Sequence, residues 1–333
     1  MGTVLLIPTD DYTAKVIDDY QKKLSECFVC PGIPNKPGAI KLLMNKAFQH
    51  DLAVSCGLYC ARSWELSVKD GRYSIPSSIV YPCFIKPLMS FEGGKKGMVV
   101  CHSENELRNA LMKLVNNNNN LFPILAQEYL SIDEEYDIPG VSLGDKSILA
   151  IALKKTCISK AHPGTTIQGI IKDISILNDI QMKLQRLLEK IRFYGLVDIE
   201  IILSDGKWYF NEVNFRSSAV CYAAVAAGCN LPAIYVDYML KGVLNKEFTS
   251  IIDKNKTVVC EKAAWDDYYD SFISSKRFNS LLNESDYHIL FNQSDPVPMD
   301  NYYTQIKKYR IRRWIKRIVP ISLRRLIRRV WKQ

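Results

Sequence analysis

The chain's most reactive pattern lies between Gly195 and Arg216, where Asp205-Gly206 separates two apolar-rich runs, Leu196 to Leu203 and Lys207 to Asn214. Asp-Gly between such runs is a strong hairpin signal. With a period of two, Asp198 and Glu200 share one face of the first strand, and Glu212 and Asn214 one face of the second. If the turn centres on Gly206, Glu200 stands opposite Glu212 and Asp198 opposite Asn214, which gathers three carboxylates and an amide. Like charges directly opposite one another destabilise a sheet, so this cluster calls for a countercharge. A hard divalent cation answers it, since Mg²⁺ takes one or two carboxylates and completes its shell with substrate phosphates. The plainer alternative is a hairpin with one solvated face.

Other segments carry complementary chemistry. Ile85-Lys86-Pro87 ends a predicted strand on a lysine, and Glu92 to Gly97 is glycine-rich, with Gly93, Gly94 and Gly97 able to bring backbone amides close to a phosphate. Gln127-Glu128-Tyr129-Leu130 closes another strand, with Glu135 shortly after. Lys154 and Lys155 sit near the end of a strand; one of them reaches an anionic ligand, or both are surface residues.

Taken in order, these segments resemble the ATP-grasp superfamily, which includes biotin carboxylase and the large subunit of carbamoyl-phosphate synthetase. The resemblance implies an α/β (α+β) ATP-grasp fold in which two subdomains grip ATP. It implies Mg²⁺ or Mn²⁺ held by Glu200, Glu212 and Asn214, phosphate contacts from Lys46, Lys86 and the loop of Gly93, Gly94 and Gly97, and an adenine-holding hinge at Gln127, Glu128, Tyr129 and Leu130. Glu135 is placed like a ribose-binding carboxylate. Arg216 and Lys86 become the catalytic residues of a carboxylate–amine ligase that works through an acyl phosphate.

The elements that must position these groups follow from hydrophobic periodicity. Strands are predicted at Val4 to Ile7, Tyr81 to Pro87, Leu121 to Tyr129, Tyr136 to Val141 and Ser147 to Cys157. Helices are predicted at Asp11 to Leu24, Ala39 to Ser55 with Gly57 as its stop, Glu104 to Val115, Asp179 to Arg192 and Leu231 to Leu240. Five consecutive asparagines, Asn116 to Asn120, mark a loop. The resulting division is 1–45 as a reduced Rossmann-like region before the grasp, 46–126 and 127–245 as the two grasp subdomains, 246–306 as an extension and 307–333 as a tail. With so little chain before Lys46, a protein partner completing the N-terminal region is one expectation.

Composition bounds the rest. A 333-residue chain that is 47% apolar and 24% charged suits a globular protein of about two domains. No run of 18 uncharged apolar residues occurs and the N-terminus lacks a basic leader, so neither a membrane span nor a signal peptide is expected. Ten cysteines then read as reduced thiols in a cytoplasmic protein. Cys27, Cys30, Cys56 and Cys60 have a spacing that could serve zinc, against the simpler reading of small core residues. The four histidines show no metal spacing and receive no catalytic role.

From Lys307 to Gln333 the chain carries 12 Lys or Arg and no acid, which leaves 32 basic against 35 acidic groups in the rest. Ile311, Trp314, Ile315 and Ile318 follow helical spacing, and so do Leu323, Leu326, Ile327, Val330 and Trp331 after Pro320. Two basic amphipathic helices, with Trp314 and Trp331 on the apolar faces and Arg312, Arg313, Arg324 and Arg325 among the cations, fit an anionic membrane surface. Packing of the stripe on the body and binding to nucleic acid are the weaker alternatives. A segment from Tyr287 to Pro298 resembles the C-terminal part of ATP-grasp ligases related to D-aspartate ligase and to polysaccharide-cluster enzymes. The expectation is a peripheral enzyme on the inner membrane face that joins a small carboxylate, such as an amino acid, to an amine on a cell-envelope precursor.

Overall fold

The structure is a computed structural model that describes residues 4–69, 72–92, 98–117, 122–250 and 253–318. Two short strands, β1 (Val4–Leu5) and β2 (Phe28–Val29), pair in parallel at the N-terminus. Between them runs the helix Asp11–Asp19, capped by the Asp10 carboxylate on the Thr13 amide. The predicted helix from Asp11 to Leu24 breaks at Tyr20 into that segment and a single turn, Gln21–Leu24. The predicted helix from Ala39 to Ser55 also divides. Asn45 takes extended backbone angles and its side chain accepts from the amides of Ala47 and Phe48, so a new helix, Lys46–Ser55, starts there.

The small lobe is a four-stranded sheet made of β3 (Ser63–Leu66), β6 (Cys83–Pro87), β7 (Val99–Cys101) and β8 (Ile124–Glu128), in the order β3-β8-β6-β7. A separate ribbon of β4 (Val68–Lys69) and β5 (Arg72–Tyr73) stands beside it. The helix Glu104–Asn117 covers the sheet, with Leu107, Leu111 and Leu114 at helical spacing packed on Cys83, Ile85, Ile124 and Ala126.

The large lobe is an eight-stranded sheet: β9 (Glu134–Leu143), β10 (Ser147–Leu149), β11 (Ala152–Ile158), β12 (Thr166–Lys172), β13 (Tyr194–Ser204), β14 (Lys207–Asn214), β15 (Thr257–Val259) and β16 (Tyr287–His288). The order is β14-β13-β9-β11-β12-β15-β16, antiparallel except for the last pair, with β10 also on β9. The predicted strand from Ser147 to Cys157 is therefore two, β10 and β11.

Alternation along these strands separates packing from chemistry. On β13, Val197, Ile199 and Ile201 enter one core with the helices Ala39–Leu43, Lys46–Ser55 and Asp179–Ile191. Leu196 faces the other way, into a second core with the helices Cys221–Ala226 and Leu231–Lys241. Asp198 and Glu200 continue the face of Leu196, so they leave that core and line a cavity. The same parity sets Asp137 on β9 beside Val141 and Leu143, and Lys155 on β11 beside Leu153. The helix Lys46–Ser55, assigned by sequence to the 46–126 subdomain, places Ala53 in the first core and so belongs to the large lobe by packing.

All ten cysteines are free, and among the described residues no group of three His, Cys, Asp or Glu side chains could hold a metal ion, so the zinc reading of Cys27, Cys30, Cys56 and Cys60 has no support. No helix among the described residues is long and apolar enough to cross a membrane. The first tail helix is the end of a longer one, Val297–Ile318. Met299 and Ile306 are buried near its start, whereas Ile311 is 48% exposed. Arg312, Arg313 and Trp314 fall within that helix, and Arg324, Arg325 and Trp331 lie outside the described residues.

Candidate functional site

The hairpin β13–β14 delivers its carboxylates through a bulge. Asp205 and Gly206 both have positive φ, 49° and 70°, as a two-residue hairpin turn requires, and Ser204 pairs with Lys207. Continued without interruption, that ladder would set Glu200 opposite Asn211 and turn Glu212 toward the hydrophobic core. Instead the register shifts by one between Glu200 and Ile201, so Glu200 faces Glu212 and Asp198 faces Asn214. The pairing expected from sequence is present, reached by a tight turn plus a bulge at Asn211 rather than by a wider turn centred on Gly206.

β14 is a sheet edge, and its outward backbone groups need partners. The helix Lys46–Ser55 supplies them. His50 Nε2 lies 3.0 Å from the Asn211 carbonyl, the Gln49 Oε1 accepts from the Val213 amide at 2.8 Å, and the Gln49 Nε2 donates to the Val213 carbonyl at 3.0 Å. The Phe210 amide donates to the Tyr59 carbonyl. The bulge is thus held from outside the hairpin, by residues more than 150 positions away in the chain.

A cavity of about 620 Å³ lies between the lobes. Lys86, at the end of β6, is buried and donates to the Asn211 Oδ1 at 2.8 Å. Lys46, at the first position of its helix, donates to the Ser90 hydroxyl at 3.0 Å and stands 3.4 Å from Glu212. Lys155 is buried among Asp137 at 2.9 Å, Glu200 at 3.4 Å and Glu135 at 3.9 Å. Of the ambiguous pair, Lys155 therefore faces the cavity, while Lys154 pairs with Glu134 outside it.

These neighbours set the ionisation of the site. Burial pushes Lys86 down to about 8, with Glu212 opposing and Lys46 reinforcing that fall. Burial acts against the charge of Glu212, yet Lys46 and Lys86 more than offset it and hold the carboxyl well below its usual range. Glu200 moves the other way: burial raises it, Lys155 resists, and Glu212 and Asp137 add to the rise. Burial lowers His50 to about 4, with help from Lys86, so it is a neutral ring that positions Asn211.

The remaining predicted residues distribute as follows. Gln127, Glu128, Tyr129, Leu130 and Glu135 all line the cavity where the lobes meet. The Glu128 carboxylate is forked onto Arg62, at 2.9 and 3.0 Å. Arg216 also lines the cavity, and its Nε donates to Asp11 at 3.0 Å. Gly93, Gly94 and Gly97 lie outside the described residues. Sequence reasoning missed Asn211, Gln49, Asp137 and Asp11, whose roles come from contacts across the fold; only the parity of Asp137 with Glu135 hinted at one of them.

The donor set facing the cavity suits a hard cation. Glu200 and Glu212 present oxygen donors from opposing strands, and the buried Nδ2 of Asn214 has no partner among the described residues, so none of them fixes that amide against offering its oxygen. Each carboxylate is ion-paired to a lysine. The protein thus supplies part of a coordination shell, as a Mg²⁺ completed by substrate phosphates needs.

No family model matches the chain. The C-terminal section of the carbamoyl phosphate synthase large chain from Aquifex aeolicus is 23% identical over 186 residues, which is 55% of this chain and 34% of that protein. The chain therefore spans about a third of the length of that relative. Among solved structures, the L-amino acid ligase from Bacillus licheniformis superposes with a TM-score of 0.52 at 20% identity, over 74% of this chain and 59% of that one. D-alanine–D-alanine ligase from Bacillus anthracis, solved with ATP, gives 0.51 at 15% identity over 67% and 73%. The chain has the ATP-grasp fold and is related in sequence to the carbamoyl phosphate synthase large chain.

Proposed function

We propose that this chain is an ATP-dependent carboxylate–amine ligase. The observation that carries the reading is the convergence on one interlobe cavity of Lys46, Lys86 and Lys155 with Glu200, Glu212 and Asn214, beside the strand end Gln127 to Leu130. Three buried or half-buried ammonium groups around opposed carboxylates make a site for a polyanion that arrives with a cation. The ATP-grasp fold and the relation to carbamoyl phosphate synthase support ATP as that polyanion.

In this reading Lys46 and Lys86 draw in the outer phosphates and neutralise charge on the transferred phosphoryl group. Glu200, Glu212 and Asn214 would hold Mg²⁺ or Mn²⁺, which supplies Lewis-acid neutralisation of the phosphates when bound. Asn211 fixes the Lys86 ammonium, and the backbone of Gln127 to Leu130 offers hydrogen bonds to the adenine. Arg216 binds the acceptor carboxylate next to the phosphates, where it steadies the charge of the acyl phosphate until an amine attacks.

The amine is proposed to reside on a cell-envelope precursor, with the enzyme held at the inner membrane face by its basic tail. The tail charge of 12 cations without an acid and the exposure of Ile311 support this placement.

The test is ADP release by the full chain with Mg-ATP against pools of amino acids, with Glu212→Ala as the blank. Release that requires one pool and disappears in the variant supports the ligase. Failure to bind a fluorescent ATP analogue at all would sink the reading.

A further inference from the structure

Among the described residues seven acidic side chains line the cavity, and six of them are paired with a cation: Asp11 with Arg216, Glu128 with Arg62, Glu212 with Lys46, and Glu135, Asp137 and Glu200 with Lys155. Asp198 is the exception: Arg216 is near enough to favour its charge, but the two form no ion pair. It is 4% exposed, and its Oδ1 is buried without a hydrogen-bond partner among the described residues. The Ser218 hydroxyl beside it is equally shielded, and neither it nor the Asn214 Nδ2, across the hairpin, has a hydrogen-bond partner among the described residues. Leaving a carboxylate oxygen buried and unpaired is costly, so the arrangement is suited to a donor that arrives with a ligand.

A second feature sits alongside. Arg216 spends only Nε on Asp11, and that contact fixes the guanidinium with its two Nη groups uncommitted among the described residues. A planar pair of N–H groups is matched to a carboxylate. The two unmet demands are therefore a carboxylate for Arg216 and a cationic donor for Asp198, both at the cavity end next to Glu212 and Asn214.

We infer that this end of the cavity is a subsite for a zwitterionic α-amino acid, with the carboxylate on the Nη edge of Arg216 and the ammonium on Asp198 Oδ1 and Ser218 Oγ. A bare metal ion would satisfy Asp198 but leave the Nη edge of Arg216 unmet, whereas one α-amino acid meets both. Asp11 acts as a positioning residue that orients Arg216. The assignment rests on the ligase reading and narrows it: the substrate that supplies the carboxylate must carry a free amino group next to it.

The experiment uses the full chain, Mg-ATP, and matched pools of L-amino acids, D-amino acids and the corresponding 2-hydroxy acids, with ADP release as readout and a fluorescent ATP analogue to report nucleotide binding. The wild-type chain should release ADP with an amino-acid pool and not with the 2-hydroxy acids. Asp198→Asn, which keeps the shape and cannot take up a negative charge when the ammonium arrives, should raise KM for the amino acid by about tenfold or more while the KM for ATP moves far less. Asp11→Asn should raise the same KM by a smaller factor. Equal turnover of 2-hydroxy acids would overturn the inference. So would an Asp198→Asn variant whose defect is relieved by excess Mg²⁺, which would make Asp198 a metal ligand, and so would nucleotide binding with no response to any pool. Loss of nucleotide binding itself would instead strike the ligase reading beneath it.

Discussion

The Lys86 ammonium donates to the Asn211 Oδ1 at 2.8 Å, joining the end of a small-lobe strand to the bulge in the large-lobe hairpin. The two residues are 125 positions apart, and their bond ties the cation proposed to hold phosphate to the strand that carries Glu212 and Asn214.

Lys86 titrates near 8 because of burial, below an ordinary lysine. Nucleotide affinity of the free protein should therefore fall as pH rises through about 8, as Lys86 loses its charge. Stability should move oppositely: between about 8 and the unfolded value of 10.5 the unfolded chain binds more protons, so folding gains with rising pH. Titration of a fluorescent ATP analogue over about 1.5 pH units either side of that midpoint reads the first effect. Lys86→Arg, permanently charged, should abolish the downturn.

Asn211→Asp places a carboxylate against the same ammonium. An opposite charge in contact favours the protonated form, so the alkaline limb of nucleotide binding should shift upward in pH. Asn211→Ala removes the anchor without adding charge and should weaken binding roughly tenfold, the scale of one lost hydrogen bond to a charged group. An unmoved limb in Asn211→Asp would show that the bond does not persist in solution.

Gln49→Met keeps side-chain length but leaves the amide and carbonyl of Val213 without their partners. Orphaning buried backbone groups costs about 1–3 kcal/mol each. The expected outcome is a lower Tm together with weaker nucleotide binding, because the strand that loosens is the one bearing Glu212 and Asn214. A lowered Tm with unchanged binding would separate the clamp from the site.

Removal of residues 307–333 deletes 12 cations and should abolish sedimentation with vesicles rich in anionic lipid while sparing ADP release from soluble substrates. Binding of the full chain should weaken as salt rises, since its attraction is screened over about 8–10 Å at physiological ionic strength. Equal sedimentation of the full and shortened chains would remove the membrane from the proposal.

The hairpin and its reactive face are legible in local sequence alone. Asp205-Gly206 can form a tight turn, the two-residue period groups Glu212 with Asn214, and Ile85-Lys86-Pro87 puts a lysine at a strand end; these are local properties, readable because strand parity and turn stereochemistry act over a few residues. The split of Ala39 to Ser55 at Asn45 was less legible, because a side-chain cap competes with apolar periodicity that runs through it.

Tertiary structure decided what periodicity cannot reach. Alternation alone would turn Glu212 away from Glu200 once the turn is two residues long, and only the bulge, clasped by His50 and Gln49 from a helix more than 150 residues earlier, restores their opposition. Lys155 rather than Lys154 enters the cavity because β11 shows its Leu153 face to the second core. Asp11 meets Arg216 from 205 residues away. Each of these contacts is made by side chains whose nearness depends on how whole elements pack, and packing is a property of the assembled chain rather than of any local run of residues.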